Sequence, residues 1–355
     1  MSATRYACSL TLLVCLTGAV PVRAQVIPPT PAAAASASPA AAIWEIELHG
    51  GLSHDVDSTS GTGALPETGT LLQGLASLTT FYFGSGTALY NQIRPGSPIV
   101  PLDPVLTGSG IMQASGLALG VRVQRRLTPR FAVEFSGDQL RNPWRLRPSA
   151  VAGLEATRAS FSSGLQATLA TSPLQSAVTS QTTIVDDTMG LRLLLLGSLV
   201  TNLKTTGRTI PYVVVGGGVA FHAGKKPSVN LLGSYRIDGG SYLIGRDNVA
   251  MRFEEDSSAN VLVAGGGVKR VLSRHTGIRM DARLHFYKRS VRTLMEVFPE
   301  RAVGSLNPNI PIVTVDSLQF SALAPLNGLA YSGPTFAASG VQTNVALTAG
   351  FYFRF

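Results

Sequence analysis

Residues 344–355 at the end of the chain alternate between apolar side chains and small or polar ones. Successive side chains of a β-strand point to opposite faces, so the apolar residues of this segment would share one face. That face carries Val345, Leu347, Ala349, Phe351, Phe353 and Phe355. Because chain ends usually fray in water, an apolar stripe that ends in aromatic residues is atypical of a soluble sheet. It is typical of a transmembrane barrel, although the segment alone also fits a soluble β-sandwich.

The first 24 residues have the features of a secretory signal peptide. Arg5 provides a positive charge, Leu10–Val20 is apolar, and small residues precede a cleavage site at Ala24. The chain has a formal net charge of +9, a basic balance compatible with nucleic acid, anionic lipid or acidic glycans. Export makes nucleic acid an unsuitable partner, so anionic lipid and glycan remain.

Residues 25–42 are rich in Ala and Pro and predict a flexible periplasmic leader, which leaves 43–355 as the folded domain. Both cysteines, Cys8 and Cys15, lie in the signal segment, so the processed chain would form no disulfide and no thiolate metal site. The longest apolar run outside the signal, near 191–200, is shorter than the roughly 20 residues of a membrane-spanning helix.

Eight segments of strand character follow residue 43, and the connections between them are alternately long and short. Such asymmetry predicts an all-β fold, an eight-stranded antiparallel transmembrane up-and-down β-barrel with short periplasmic turns, long extracellular loops and periplasmic termini. The predicted strands are Trp44–Leu52, Gly116–Gln124, Phe131–Asp138, Met189–Leu203, Tyr212–His222, Ala259–Val271, Ile278–Lys288 and Asn344–Phe355. A ten-stranded barrel that recruits a hairpin from Leu231–Ile244 is the main alternative.

Over 43–355 the chain resembles the small bacterial outer-membrane barrels of the OmpA and OmpX type, through its alternating strands, its loop asymmetry and Phe355. The resemblance implies location in the cell outer membrane. It also implies that the outer-membrane assembly machinery reads Phe355 as its signal. No motif within the resemblance specifies an activity.

Charged residues fall on the faces opposite to the apolar stripes, and they would form an ion network inside the barrel. Acids and arginines are equal in number, as enclosed charges require. The inward residues are Glu45, Glu47, Glu134, Asp138 and Asp281 with Arg122, Arg192, Arg279, Arg283 and Arg354. An interior of this kind predicts a packed plug, because eight strands leave room only for side chains. A gated conduit with His49 and His285 as titrating members is the alternative.

The predicted strand order gives these charges neighbours. Glu45 and Glu47 would lie near Arg122, and Asp138 would meet Arg192 near the outer rim. Catalytic candidates are few: Asp186-Asp187 and His54-Asp55 lie close to that rim, where omptin-like proteases hold their carboxylates. No cluster has metal-ligand spacing. We therefore predict a non-enzymatic protein without cofactor or metal, with a lipid-modifying or omptin-like enzyme as the weakest alternative.

Basic residues flank both rims of the predicted barrel. Those at the outer rim would contact the phosphates of lipopolysaccharide, since the planar guanidinium matches phosphate geometry. The contact candidates are Arg141, Arg145, Arg147, Lys288 and Arg289. The long loops are poor in charge and would form a cap or extend the strands, creating a surface for an extracellular ligand. These features predict a structural, adhesive or surface-interaction role, with a narrow channel or transporter for small or hydrophobic compounds as the alternative.

Overall fold

The computed structural model describes residues 44–56, 60–65, 82–93, 95–170, 176–239, 241–305 and 331–355. The predicted signal peptide and leader lie outside these ranges. The strands are β1 Trp44–Val56, β2 Gly61–Gly63, β3 Ile111–Gln113, β4 Gly116–Arg126, β5 Phe131–Arg141, β6 Trp144–Leu146, β7 Ser176–Val185, β8 Gly190–Asn202, β9 Thr209–Gly224, β10 Ser228–Gly239, β11 Ser241–Glu255, β12 Ser258–Val271, β13 Thr276–Ser305 and β14 Tyr331–Arg354. The helices are α1 Gly84–Ile93, α2 Asp103–Leu106 and α3 Pro148–Ala170.

Antiparallel pairing joins eight strands into a ring in the order β1, β4, β5, β8, β9, β12, β13 and β14. The last of these, β14, pairs with β13 on one edge and with β1 on the other. The predicted all-β class is confirmed, and each of the eight predicted segments corresponds to one strand of the ring. Short turns connect three strand pairs, such as the turn in which Leu127 and Thr128 donate backbone hydrogen bonds to Phe131.

The strands of the ring carry apolar side chains outward and polar side chains inward. On β1, Leu48 is 61% exposed, whereas its neighbours Glu47 and His49 are buried. The outward apolar residues of successive strands form a continuous exposed belt around the ring, here called the apolar belt. Its members include Trp44, Ile46, Leu48, Leu117, Leu119, Phe131, Phe135, Leu193, Leu195, Val215, Leu262, Met280, Leu284, Leu347, Phe351 and Phe353. This is the reverse of the distribution in a water-soluble sheet.

Part of the sheet continues beyond the ring as a wall made of β7, β10, β11 and the far halves of β13 and β14. The wall forms because β13 and β14 are 30 and 24 residues long, far longer than a strand that only crosses the ring. The hairpin β10–β11 pairs with β7 on one edge and β13 on the other. The predicted hairpin near Leu231–Ile244 therefore exists. It lies between β9 and β12 in the chain, extends beyond the ring and adds no strand to the ring.

Bends separate the ring from the wall at equivalent heights in neighbouring strands. Asp187 lies between β7 and β8 with φ 53°, and Gly224 ends β9 with φ 98°. Glycine adopts the φ of 98° at Gly224 without strain, and a Cβ there would lie 2.2 Å from the carbonyl oxygen of Met189. The two bends meet in the sheet, since Gly224 pairs with Gly190 directly after the first bend.

Helices α2 and α3 pack on the inner face of the wall and enclose an apolar core. This core joins α2 and α3 to β10, β11 and β13 through residues such as Leu106, Phe161, Val249 and Met295. The long predicted loops thus contain regular structure, most visibly the 23 residues of α3. None of the helices in the described part of the chain is long and apolar enough to cross a membrane.

Candidate functional site

The middle of the ring holds six charged side chains, here called the central group. Its members are Glu47, Glu134, Asp281, Arg122, Arg279 and Arg283. All six are buried, and the three carboxylates balance the three guanidinium groups. Glu134 accepts hydrogen bonds of 2.6 Å from both Arg279 and Arg283. Arg122 donates to Glu47 at 2.9 Å and to Asp281 at 2.5 Å.

These ion pairs cross the interior of the ring. Glu134 projects from β5 and its two arginine partners from β13, which is four strands away in either direction around the ring. These side chains therefore cross the middle of the interior at that level. The space is tight elsewhere too, because a Cβ at Gly120 would lie 2.3 Å from Asp138 and 2.6 Å from His49.

A second group lies below the central group, toward the turn that joins β12 to β13. Glu45 accepts hydrogen bonds from Arg354 at 2.7 Å and from Lys269 at 2.6 Å. Lys269 also donates to Gln124 at 2.6 Å, and it projects from β12 toward the opposite strand β4. This level of the interior is therefore crossed by the hydrogen bond from Lys269 to Gln124, beside the ion pair of Lys269 with Glu45.

A third group lies above the central group. His49 Nε2 and Asp138 Oδ1 are 2.6 Å apart, and Arg192 donates to Asp55 at 3.1 Å. Tyr287 donates its hydroxyl to the same carboxylate at 2.9 Å. The expected contact between Asp138 and Arg192 is wrong, because each has a nearer partner contributed by β1. Buried apolar side chains of the ring also pack together, and they include Leu140, Leu194, Leu196, Ala220, Val261 and Val263.

Where the strands bend, a buried ion cluster separates the ring interior from the apolar core above it. Glu255 lies 3.0 Å from both Lys226 Nζ and Arg289 Nε, and these two cations approach the ring of the buried Trp144 at 4.9 and 4.6 Å. His222 Nδ1 lies 3.5 Å from the same carboxylate. We call these five residues the bend cluster; it lies above the apolar belt.

Burial and charge shift the pKa values in the bend cluster. Burial lowers the pKa of His222 below its ordinary value, and the opposing effect of Glu255 is smaller. Burial alone would raise the pKa of Glu255, but Arg289, His222 and Lys226 together hold it below the ordinary value. At neutral pH the cluster therefore contains a neutral imidazole and a carboxylate.

The predicted lipopolysaccharide contacts at the outer rim have different surroundings. Arg141 and Lys288 are exposed, Arg147 is half-buried, and Arg145 forms an exposed ion pair with Asp187 at 3.0 Å. Arg289 is wrong as a surface contact. Its side chain points inward to the bend cluster, because neighbouring side chains on β13 alternate between faces and Lys288 takes the outward position.

The two catalytic candidates singled out by the sequence, Asp186-Asp187 and His54-Asp55, are held by structural contacts. Asp186 accepts a hydrogen bond of 2.8 Å from the backbone of Leu146, and Asp187 binds Arg145. Asp55 lies in the interior, while His54 hydrogen-bonds Ser115 at 2.9 Å. Among the residues that the structure describes, no three or more His, Cys, Asp or Glu side chains are grouped to hold a metal ion.

Two hollows lie outside the ring interior. A cleft of about 700 Å³ opens between α2 and the start of α3, and it is lined by Ser60, Ser109, Arg147 and Ser149. A shallower apolar depression of about 500 Å³ lies in the wall of the ring, where Gly50, Gly266, Ala282 and Ala349 leave the belt thin. The first hollow is in the segments for which an extracellular ligand surface was predicted.

Sequence reasoning missed Asp55 and Lys269 as interior residues. Asp55 lies on the same inward face of β1 as Glu45 and Glu47. Extending the predicted strand beyond Leu52 with the same alternation would therefore have placed Asp55 in the interior. Lys269 had no such signal, because the inward positions of β12 also carry Val261 and Val263 and the strand shows no apolar–polar alternation.

No protein family model matches the chain, and no curated protein sequence matches it. Among solved structures, the chain is similar to the outer-membrane protein OprG from Pseudomonas aeruginosa, with 11% identity, coverage of 88% of this chain and 95% of that one, and a TM-score of 0.38. It is also similar to the outer-membrane protease OmpT from Escherichia coli, with 9% identity, coverage of 90% and 98%, and a TM-score of 0.26. A third likeness is to an outer-membrane channel from Pseudomonas putida F1, with 10% identity, coverage of 87% and 95%, and a TM-score of 0.19. At these identities and TM-scores the likenesses establish neither family membership nor activity for this chain.

Proposed function

We propose that the protein is an integral outer-membrane protein with a closed eight-stranded barrel, and that it has a non-catalytic structural, adhesive or surface-interaction role. In this proposal the ring crosses the membrane, and the wall with its helices is the extracellular unit. Both termini are periplasmic. Phe355, whose backbone exchanges hydrogen bonds of 3.0 Å with Trp44, serves as the assembly signal.

The observation that carries the proposal is a reversal of polarity along β13. In the ring, its inward residues include Arg279 and Arg283, and its outward residues include Met280 and Leu284. Beyond the bend cluster, the inward positions become apolar and the outward positions become charged. The inward apolar residues of the wall are Val291, Met295 and Val297, and the outward charged residues are Lys288, Arg292 and Glu296. One strand thus suits lipid over its first half and water over its second.

The height of the apolar belt agrees with a bilayer. Twelve residue steps separate Trp44 from Val56, both of which are exposed on β1. At about 3.3 Å per residue this distance is about 40 Å along the strand. A strand tilt of about 45° reduces it to about 28 Å, close to the hydrocarbon thickness of a membrane.

The interior supports a sealed barrel over a conduit. Ion pairs join opposite strands across it at the level of Glu134, a hydrogen bond from Lys269 to Gln124 joins opposite strands at the level below, and the bend cluster lies above both. An ion would have to break buried, balanced pairs to pass, which is strongly unfavourable. Conduction through a rigid ring with these contacts is therefore not expected.

Conductance in planar lipid bilayers tests this proposal. Wild-type protein that shows the heat-dependent gel mobility of a folded barrel should produce no stable channels. A Glu134→Ala, Arg279→Ala double variant removes a tie across the interior without changing the net charge and should produce measurable conductance. Stable porin-sized channels in the wild type would contradict the sealed barrel, and recovery of the protein in the soluble periplasm would contradict membrane insertion.

A second candidate function is passage of small apolar compounds through the side of the barrel. The apolar depression in the belt favours it, because Gly50 and Gly266 contribute no side chain there. Uptake of a small aromatic compound into vesicles separates the two functions. The sealed structural barrel predicts the same uptake as in protein-free vesicles, whereas a lateral passage predicts faster uptake that Gly266→Leu abolishes.

The rim residues remain candidates for contact with lipopolysaccharide. The side chains of Arg141, Arg145 and Lys288 are exposed, and Arg145 forms an ion pair with the exposed carboxylate of Asp187. The cleft beside α3 is the place where we propose an extracellular ligand would bind, since it lies in the unit that faces away from the membrane.

A further inference from the structure

We propose that the three short turns at the periplasmic end of the ring bind the phosphate groups of anionic phospholipids in the inner leaflet of the outer membrane. The turns join β4 to β5, β8 to β9 and β12 to β13. Together, residues 125–130, 203–208 and 270–275 are called the turn rim. The inference rests on the proposed function, because it requires the ring to cross a membrane. The turn rim lies at the opposite end of the ring from the candidate contacts with lipopolysaccharide and shares no residue with them.

Every turn of the turn rim carries exposed cations. They are Arg125 and Arg130 in the first turn, Lys204 and Arg208 in the second, and Arg270 and Arg274 in the third. None of these six forms an ion pair in the described part of the chain, either with a side chain or with the terminal carboxylate of Phe355. The turn rim contains no Asp or Glu, and Glu45 at the next level is buried and held by Lys269 and Arg354. Its positive charge is therefore not neutralised by the protein and suits an anionic partner.

An exposed leucine accompanies the cations in every turn. Leu127, Leu203 and Leu272 are 56%, 62% and 56% exposed, respectively. Leu203 directly precedes Lys204, and Leu272 lies two residues before Arg274. At a membrane interface, leucine reaches the acyl chains while a neighbouring cation reaches the phosphates. Because a soluble acidic polymer would leave three leucines in water, the combination of leucine and cation in each turn favours a lipid headgroup.

Strand alternation places the turn rim at the edge of the apolar belt. Arg125 pairs with Trp44 in the sheet, and its guanidinium lies 5.4 Å from the centre of the Trp44 ring. Arg270 is two residues beyond the exposed Val268 on the outward face of β12, which is about 7 Å along the strand. Aromatic and basic side chains at the edge of an apolar belt are typical of the headgroup level of a membrane.

Backbone hydrogen bonds join the three turns into one continuous rim. The amide of Asn202 donates to the carbonyl oxygen of Arg130 at 2.8 Å, which joins the first turn to the end of β8. The amide of Val271 donates to the carbonyl oxygen of Arg208 at 2.8 Å, which joins the second turn to the third. The third turn is held to the end of β14 in the same way. The backbone positions of the cations are therefore fixed before a lipid binds, which lowers the entropic cost of binding.

Trp44 is a built-in reporter for lipid at the turn rim. The chain has two tryptophans, and the other, Trp144, is 1% exposed and lies above the apolar belt. Purified protein is placed in phosphatidylcholine vesicles that contain a minor fraction of phosphatidylglycerol. Either the phosphatidylglycerol or an equal fraction of the phosphatidylcholine carries brominated acyl chains, which quench tryptophan fluorescence on contact. The ratio of the two quenching constants measures the preference of the turn rim for the anionic lipid.

Two triple variants remove equal charge from the two ends of the ring. The rim variant leaves Arg125 and its contact with Trp44 in place and combines Arg130→Gln, Arg270→Gln and Arg274→Gln. The matched control removes three exposed cations from the opposite end and combines Arg141→Gln, Lys225→Gln and Lys288→Gln.

We expect the wild type to prefer brominated phosphatidylglycerol by at least about fivefold, the effect of one cation beside an anionic membrane surface. The control should keep this preference, whereas in the rim variant the ratio should fall toward one. High salt should also reduce the preference in the wild type, because the rim cations are exposed. Equal quenching by the two lipids in the wild type overturns the proposal, as does equal loss of preference in both variants. If the wild type shows no lipid preference but binds soluble polyglutamate through the rim cations, the partner is an acidic polymer and the proposal is wrong.

Vesicles of phosphatidylcholine alone separate this failure from failure of the proposed function. If brominated phosphatidylcholine quenches Trp44 there and the protein shows heat-dependent gel mobility, the ring is in the membrane. A missing preference for the anionic lipid then overturns only the role of the turn rim. If no brominated lipid quenches Trp44 in the wild type, the proposed function fails and the inference falls with it.

Discussion

Replacing Glu134 with glutamine should destabilise the barrel by about 3–5 kcal/mol, the range for breaking a buried ion pair by removal of one partner. The side chain of Glu134 has no exposed surface, and its two oxygens accept 2.6 Å hydrogen bonds from Arg279 and Arg283. Glutamine keeps the shape and one acceptor. It removes one of three negative charges in a central group that contains three arginines, so the folded barrel would bury a net positive charge.

Urea unfolding in lipid vesicles, followed by tryptophan fluorescence, measures the change. With a denaturant slope of about 1–3 kcal/mol per molar, a loss of this size lowers the unfolding midpoint by at least about 1 M. Glu155→Gln is the matched control, because Glu155 pairs with Arg158 at the exposed surface of α3 and its loss should leave the midpoint unchanged. Adding Arg283→Gln to Glu134→Gln restores the charge balance and should recover part of the loss. A midpoint for Glu134→Gln equal to that of wild type would refute the role of charge balance in the interior.

Three further predictions use the same unfolding assay or hydrogen exchange. Leu48→Arg should destabilise the barrel by about 2–4 kcal/mol, because Leu48 lies within the apolar belt. Leu203→Arg, at similar exposure beside a short turn, should cost only about 0–1 kcal/mol. Equal effects of the two substitutions would contradict the assignment of the apolar belt to the membrane. Gly224→Val should speed exchange in β9 and β10 because a side chain there meets a facing carbonyl oxygen and φ is 98°, while Gly340→Ala, which has open space, should not. Since burial depresses the pKa of His222 below its ordinary 6.5, the unfolded wall binds a proton more readily than the folded wall. Exchange protection near the bend should therefore be complete above about pH 6.5 and fall as pH decreases below it, and His222→Phe should remove this step.

Strand positions in the ring were predictable because its outward positions carry apolar side chains and its inward positions carry polar ones. On β1 and β14 every second side chain contacts the outside, so alternation revealed both the strand and its inward face. The same parity put Glu47, Arg122 and Glu134 on inward faces. Their pairing distances needed the structure, because strand order fixes neighbours while the reach of arginine allows contact with strands on the opposite side.

The wall was not predictable from a pattern in which the apolar residues always take the outward positions. On β13 the period of two continues to Val297, but the apolar residues move from the outward to the inward positions beyond Tyr287. A search for outward apolar stripes therefore ended the strand at Lys288. The sequence predicts the hairpin β10–β11 only as part of a ten-stranded ring, whereas its inward Leu231 and Val249 pack in the apolar core of the wall.

The bend cluster explains how one sheet can change its inward chemistry within a few residues. Below it, the interior needs paired charges, and above it the helices need an apolar face. Trp144 belongs to both regions, since it packs in the apolar core and lies against Lys226 and Arg289. Glu255 neutralises part of the charge of those cations at 3.0 Å, so the boundary contains no isolated buried charge. Because this boundary lies at the height where the outer surface changes from apolar to charged, the inner and outer reversals of polarity coincide, which is the arrangement expected where a sheet leaves a membrane.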